Sequence, residues 1–113
     1  MTPYSRGDIV LIPFPFTDAP AEKKRPAVVV SGDAYMAETI DLLVAMITSR
    51  SRLTPRPGDH RLADWRSAGL VGPSTVRARL ATVHSKRVIR RLGVVSIADM
   101  TGIDDGLRAA LAL

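Results

Sequence analysis

The side chains that could do chemistry in this 113-residue sequence are arginines, hydroxyl residues and two histidines. The sequence contains no cysteine, which excludes disulfide bonds, a thiolate metal site and a cysteine nucleophile. His60 and His84 stand far apart, without the spacing of a metal-binding motif. No phosphate-binding loop of the GxxxxGK type occurs, and no serine-histidine-acid set has supporting context. We therefore expect a protein that uses neither a metal nor a cofactor.

Arginines and hydroxyls suit one class of reaction, the cleavage of RNA by its own 2′-hydroxyl. Because the RNA supplies the nucleophile, the protein has to stabilise a pentavalent phosphorane and to move protons. Arginine neutralises the developing charge, and a threonine or serine hydroxyl can donate a hydrogen bond to a non-bridging oxygen. The segment KKRPAVVVSGD, residues 23–33, places three cations where the chain enters an apolar strand. We expect at least one of these cations to be held in place.

Basic residues are concentrated in one part of the chain. The net charge is +5, yet the stretch from Arg50 to Arg91 has eleven Lys or Arg residues against two Asp residues, a net charge of +9. Thirteen of the sixteen cations are arginines, whose planar fork can pair with phosphate through two hydrogen bonds. This distribution predicts a polyanionic or acidic partner. A proteome rich in arginine is the alternative explanation.

The elements that must position these residues are short strands within one domain, residues 1–113. A chain of this length buries about two thirds of its unfolded surface, so it can form a core without disulfide bonds. The continuous apolar run 40–49 predicts a strand that is buried on both faces. Strands are predicted at 7–16, 25–33, 40–49, 74–85 and 88–96, a polar loop at 17–24 and a helical turn at 34–39. The basic connection 50–75 is predicted to hold a short strand near 61–62 and a helical turn at 63–67.

Two patterns orient the later elements. In STVRARLATVHS, residues 74–85, apolar residues alternate with Arg77 and Arg79, which places these arginines on the outer face of a half-exposed strand. After it, Ser96 is the predicted N-cap of a C-terminal helix, with Asp99 three residues further on.

That helix carries one apolar stripe. Gly102 and Gly106 weaken it, so packing must hold it. The stripe consists of Ile97, Met100, Ile103, Leu107 and Leu111. Together the elements predict a mainly β protein, a small barrel or tightly coiled sheet closed by a C-terminal α-helix.

The order of four motifs resembles the MazF/PemK family of toxin endoribonucleases over nearly the whole chain. GDIVLIPFPFTD is similar to the family's opening Gly-Asp-(Ile/Val) strand, and KKRPAVVVSGD is similar to its Lys-Arg-Pro-Ala-Val-Val-Val signature. AMITSR is similar to its Ile-Thr-Ser strand end, and VIRRLGVVSIADM to the segment that leads into its C-terminal helix. The Arg-Pro and Ile-Thr-Ser motifs in that order are fairly specific, whereas either alone would be weak.

The resemblance implies an SH3-like barrel that forms a homodimer. It also implies metal-independent, sequence-selective cleavage of single-stranded RNA, with 2′,3′-cyclic phosphate and 5′-hydroxyl ends, and inhibition by a cognate antitoxin with an acidic, disordered segment. The family's catalytic arginine corresponds to Arg25 and its catalytic threonine to Thr48. Arg25 is expected to act as a general acid or phosphorane stabiliser, and Thr48 to hold the phosphate.

One departure from the family concerns the later strand. Some members carry an Arg-x-Asp pair there; Arg77 matches the arginine, but Arg79 stands in place of the aspartate. Residues 81–84 read Ala-Thr-Val-His, where many members have Arg-Thr-(Ile/Val)-Asp. We therefore expect the two arginines to bind RNA or antitoxin. The residues expected to contact RNA are Phe16, Thr17, Lys23, Lys24, Ser49, Arg50, Arg52, Arg77 and Arg79.

Three other functions stay open. The chain could be a non-catalytic small barrel that binds nucleic acid through its arginines, or a decayed toxin that keeps the fold without activity. A fold relative of the family poisons gyrase through a C-terminal Trp-Gly-Ile, but this chain ends in Ala-Leu-Ala-Leu, which argues against that function.

The sequence also predicts location and the roles of two side chains. It shows neither a signal peptide nor an apolar run near the ~20 residues that cross a bilayer, so we expect a cytoplasmic protein without membrane contact. Trp65 is expected in the core or at a dimer contact rather than stacked on a base, and His84 is expected at a turn.

Overall fold

The computed structural model describes residues 3–14, 23–50, 52 and 54–113. They form six strands: β1 (Asp8–Phe14), β2 (Lys23–Val29), β3 (Asp41–Thr48), β4 (His60–Arg61), β5 (Thr75–His84) and β6 (Arg90–Val94). Helix α1 (Asp33–Glu38) joins β2 to β3, a 3-10 turn (Ser85–Arg87) follows β5, and helix α2 (Ile97–Leu111) follows β6. All strand pairs are antiparallel, in the order β4-β5-β3-β2-β1-β6, and the sheet curls into a half-barrel. The prediction of a mainly β fold with a C-terminal helix is confirmed.

Two apolar clusters lie on opposite faces of the sheet. Within β1, Ile9 belongs to one cluster and Val10 to the other, because successive residues of a strand point to opposite faces. The helix-side cluster contains Ile9, Val28, Ala45, Ile47, Leu62, Ala68, Val76, Val95 and Ile103. The opposite cluster contains Val10, Ile12, Ala27, Val29, Met36, Leu42, Val44, Met46 and Val83. Strand β3 contributes to both clusters, so it is buried on both faces, as its continuous apolar run predicts.

Helix α2 begins as predicted, with the Ser96 hydroxyl accepting the backbone N–H of Asp99 at 3.1 Å. The middle of its apolar stripe is covered, since Ile103 is 2% exposed. The two ends are not covered within the described chain: Ile97 is 89% exposed and Leu111 is 50% exposed. The stripe is therefore longer than the surface on which the helix lies.

Both glycines of α2 lie where another segment approaches the helix closely. A Cβ atom on Gly106 would lie 2.5 Å from the carbonyl oxygen of Gly58, and one on Gly102 would lie 2.1 Å from Cε1 of His60. Side chains at these positions would push the start of β4 away from the helix. The glycines thus weaken the isolated helix and at the same time permit the packing that holds it.

The boundaries of the other elements differ from the prediction in one important place. Lys23 and Lys24, predicted in the polar loop, lie in β2 opposite Phe14 and Pro13. Conversely, β2 ends at Val29 rather than at residue 33, because Asp33 already begins α1.

Trp65 and His84 lie where the sequence analysis predicts them. Trp65 is partly buried against the helix-side cluster, and its ring centroid lies 4.9 Å from the guanidinium carbon of Arg66. His84 ends β5, where its Nδ1 accepts the backbone N–H of Lys86 at 3.1 Å. Among the described helices, none has the length and apolar character needed to cross a membrane.

Candidate active site

The site begins where β2 and β3 stop pairing. The last pair between them is Ala27 with Met46, whereas β2 continues to pair with β1 as far as Lys23. The Val30 N–H donates to the Leu43 carbonyl of β3. Since every second residue of a strand directs its backbone groups to the same neighbour, position 26 also faces β3. Pro26 has no N–H to donate there, so the ladder cannot continue through it.

A cavity of about 380 Å³ lies at this gap between the strand ends. Continuing the register of Ala27 and Met46 would place Arg25 opposite Thr48, with both side chains on the face of the opposite cluster. Both residues line the cavity. The described residues that line it are Phe14, Arg25, Met46, Ile47, Thr48, Ser49, Arg50, Arg77 and Arg79.

The charge of this cavity is strongly one-sided. Four arginines line it, and none of the described residues that line it is a carboxylate. The Arg25 guanidinium carbon lies 6.0 Å from the centroid of the Phe14 ring, a contact that holds the cation over an aromatic face. Among the described residues, no carboxylate forms an ion pair with Arg25, Arg50 or Arg79. Their charge is therefore available to an anionic ligand.

Thr48 offers a hydroxyl whose orientation is restricted. Its Oγ1 accepts the backbone N–H of Arg50 at 3.3 Å, which forms a tight turn directly after β3. A hydroxyl donates one hydrogen bond and can accept two. The Thr48 proton is thus free to be donated to an oxygen of a bound anion, and the turn that orients it also directs Arg50 to the cavity.

Arg77 differs from the other three arginines because an acid within the chain already binds it. Its Nε and Nη2 donate to the two carboxylate oxygens of Asp59, each at 3.1 Å, and Nη2 also donates to the Thr54 carbonyl at 2.7 Å. These side-chain hydrogen bonds lower the pKa of Asp59 and raise the pKa of Arg77. The pair attaches the 54–59 segment to β5, so any RNA contact by Arg77 would have to compete with Asp59.

The chain matches the family model of the PemK-like, MazF-like toxins of type II toxin–antitoxin systems over residues 5–111. It is a member of that toxin family. An endoribonuclease from a mycobacterial species has a similar structure, with 25% identity, a TM-score of 0.77, and coverage of 100% of this chain and 95% of the other. A mycobacterial endoribonuclease in complex with its cognate antitoxin has 24% identity and a TM-score of 0.79, over 97% and 96% of the two chains.

A third similar structure is the MazE–MazF complex from Deinococcus radiodurans. It has 20% identity and a TM-score of 0.72, over 100% of this chain and 98% of the other. Both of these complexes are less than 25% identical to this chain, so their likeness shows a shared fold. Comparison with curated protein sequences gives no significant match.

Within this member of the toxin family, the structure brings six of the predicted site residues to one cavity: Arg25, Thr48, Ser49, Arg50, Arg77 and Arg79. Ser49 follows Thr48 directly, and both residues line the same cavity because the chain turns immediately after β3. Lys23, Lys24 and Arg52 are exposed and do not line the cavity. Phe16 and Thr17 lie outside the described residues.

Two interactions beside the site escaped the sequence analysis. Asp59 counted there only as a charge, although it is the partner of Arg77. His60 was set aside as a metal ligand, and in the toxin-family fold its Nε2 lies 2.9 Å from Asp99 Oδ1. Neither pair has a short sequence spacing that could have identified it, since both join residues from separate elements.

Proposed function

We propose that this toxin is an endoribonuclease that cleaves single-stranded RNA without a metal ion. The observation that carries the proposal is the cavity at the β2–β3 gap, where Arg25 and Thr48 converge among arginines and where the described part of the wall has no carboxylate. Such a surface attracts a phosphodiester and suits a reaction whose transition state gains negative charge on phosphorus oxygens. Membership of the toxin family and the endoribonucleases of similar structure support the same activity.

In the proposed reaction the 2′-oxygen of one nucleotide attacks the adjacent phosphorus. The bond from the 2′-oxygen to phosphorus forms, and the bond from phosphorus to the 5′-oxygen breaks. The 2′-hydroxyl releases its proton and the departing 5′-oxygen takes one up, which leaves a 2′,3′-cyclic phosphate and a 5′-hydroxyl. Arginine keeps its proton in proteins, so stabilisation of the phosphorane is the role that best suits Arg25, with general acid catalysis as the alternative. Thr48 donates its hydroxyl proton to a non-bridging oxygen.

We further propose that the toxin acts as a homodimer in the cytoplasm and that a cognate antitoxin blocks the site through an acidic, disordered segment. The net charge of +9 between Arg50 and Arg91 supports a polyanionic substrate and an acidic inhibitor alike. An antitoxin partner is supported by two similar structures, one described as a complex with a cognate antitoxin and one as MazE–MazF. Both interactions should weaken as salt concentration rises.

The test is incubation of the purified protein with a long single-stranded RNA in EDTA, beside Arg25→Ala and Arg25→Lys variants. We expect the wild type to cleave the RNA and to leave 2′,3′-cyclic phosphate ends. Arg25→Ala should lose activity severely, and Arg25→Lys should keep partial activity. Cleavage at a restricted set of sites would establish sequence selectivity. A folded protein that binds RNA and never cuts it would instead identify a nucleic-acid-binding module or a decayed toxin.

A further inference from the structure

A second, smaller basic cavity adjoins the candidate active site. It measures about 190 Å³ and is lined by Ser49, Arg50, Arg61, Pro73, Ser74 and Thr75. Ser49 and Arg50 line both cavities, so the turn after Thr48 separates one from the other. We infer that this second cavity is a subsite for a neighbouring phosphodiester of the same RNA strand, with Arg61 as its specific ligand. The inference rests on the proposed function.

The strand register places the second cavity in line with the first. Thr48 pairs with Thr75 across β3 and β5, and Thr75 pairs with Arg61 across β5 and β4. Residues directly opposite each other in neighbouring strands present their side chains on the same face. Thr48, Thr75 and Arg61 therefore form one cross-strand row, and its ends are two strand spacings apart, about 10 Å. An RNA strand that leaves the active site across the sheet would follow this row.

The backbone beneath Arg61 is held on both sides. His60 contacts Asp99 at 2.9 Å, and the N–H groups of Ala63 and Asp64 donate to the same carboxylate at 2.9 Å each. Leu62 is 3% exposed, and its N–H donates to the Ser74 carbonyl. Arg61 itself is exposed between these fixed residues. Binding a ligand there would require little ordering of the main chain, which favours affinity.

The chemistry of the lining selects an anion of small size. Among the described residues, two arginines and no carboxylate line the cavity, and Arg61 forms no ion pair. The Ser74 hydroxyl already donates to the Gly72 carbonyl at 2.9 Å, which leaves the hydroxyls of Ser49 and Thr75 to donate to the ligand. The described lining residues offer no aromatic ring for a base to stack on, and the cavity volume is below the roughly 300 Å³ of small-molecule pockets. A phosphate group fits this description better than a nucleobase does.

The experiment measures binding and cleavage by wild type, Arg61→Ala and Arg66→Ala. Arg66 is the matched control because it is an exposed arginine of the same connection that lines neither cavity. Binding is measured with an RNA made resistant to cleavage by 2′-deoxy substitution at the cut site. In one derivative at a time, a single phosphate near that site is replaced by an uncharged methylphosphonate. Cleavage is measured separately with the unmodified RNA.

We expect Arg61→Ala to weaken RNA binding roughly tenfold and to lower the salt slope by about 0.7, the value for one phosphate contact to a single strand. At one position beside the cut, the methylphosphonate should weaken binding by the wild type and by Arg66→Ala but not by Arg61→Ala. If every methylphosphonate weakens RNA binding by Arg61→Ala as much as it weakens binding by Arg66→Ala, the subsite is overturned. If the wild type still cleaves RNA in that case, the proposed function stands without the subsite.

Two further outcomes separate the subsite from the reaction. If the wild type binds RNA in the Arg61-dependent manner without cutting the unmodified strand, the subsite stands and the proposed endoribonuclease activity fails. If the folded wild type neither binds nor cuts RNA, both proposals are overturned.

Discussion

Arg25 and Thr48 occupy the two positions that would pair next if the β2–β3 ladder continued beyond Ala27 and Met46. The strands separate there because Pro26 has no N–H to offer to β3. The two side chains consequently face the same cavity across a gap instead of packing against each other. The sheet thus supplies the alignment of the pair, and the proline supplies the space for a ligand between them.

The Thr48 hydroxyl can be tested by near-isosteric substitution. We expect Thr48→Val to lower kcat for RNA cleavage by about 10²-fold, since a donor aimed at the charged transition state is lost. Thr48→Ser should retain most of the activity, because it keeps both the proton and the acceptor for the Arg50 N–H. Single-turnover cleavage under EDTA measures the effect. Full activity in Thr48→Val would remove Thr48 from the mechanism.

The ion pair between Asp59 and Arg77 predicts a gain in RNA binding when it is broken. Asp59→Asn removes the negative charge that the Arg77 guanidinium now contacts at 3.1 Å. We expect a steeper salt dependence of RNA binding, by about 0.7 in slope, since one more cation becomes available to a phosphate. We also expect a lower Tm, because the 54–59 segment loses its attachment to β5.

The double variant with Arg77→Ala distinguishes charge release from loosening of the segment. In that background Asp59→Asn should no longer change the salt slope, because the arginine that it would free is gone. If RNA binding by Asp59→Asn depended less steeply on salt than binding by the wild type, the interpretation of Arg77 as a neutralised cation would be contradicted.

Asp99 predicts a dependence of stability on acid pH. Its side chain is 2% exposed; burial acts to raise its pKa, but hydrogen bonds from Ala63, His60 and Asp64 outweigh burial and leave the pKa below its ordinary value. A carboxyl with a lowered pKa in the folded state stabilises it above the unfolded pKa of about 3.9. That stabilisation is lost as the pH falls through the folded value. Urea unfolding between pH 7 and pH 2.5 measures it.

The variant that tests this dependence is Asp99→Asn. The amide of asparagine keeps the shape of the side chain but has one neutral acceptor oxygen in place of a charged carboxylate. It cannot accept hydrogen bonds from all three donors, so we expect a loss of about 1–3 kcal/mol in the free energy of unfolding at pH 7. The part of the acid-induced loss that belongs to Asp99 should disappear in the variant. Asp105→Asn is the control, because Asp105 is exposed on the same helix and pairs there with Arg108 alone among described residues. Identical pH curves for Asp99→Asn and wild type would refute the assignment.

Gly106 predicts a reversal of ordinary helix propensity. Replacing glycine by alanine inside an exposed helix normally stabilises by up to about 1 kcal/mol. Here the new Cβ would lie 2.5 Å from the Gly58 carbonyl oxygen, so we expect Gly106→Ala to destabilise the fold. Thr101→Ala, at an exposed position of the same helix, should be neutral or slightly stabilising. Thermal unfolding of both variants decides, and a higher Tm in Gly106→Ala would show that the two segments do not pack as described.

Local patterns and the resemblance to a family were sufficient to predict most of the elements and six of the residues that line the cavity. The alternation in β5, the apolar run of β3 and the Ser96 cap are properties of neighbouring residues, and each corresponds to an element of the structure. Arg25 and Thr48 followed from short motifs that resemble a known family, and the sheet places both at one cavity. Their catalytic roles stay predictions.

By itself the sequence determined the strands, the C-terminal helix and the concentration of arginine, because these depend on composition and on side-chain periodicity. The tertiary structure alone decided that Asp59 neutralises Arg77, that Asp99 holds the segment after Arg61, and that the ends of the α2 stripe lie exposed. Each of these depends on which distant segments meet and how closely they approach. No periodicity along the chain encodes that, because a contact between separate elements is set by the packing of the whole sheet against its helix.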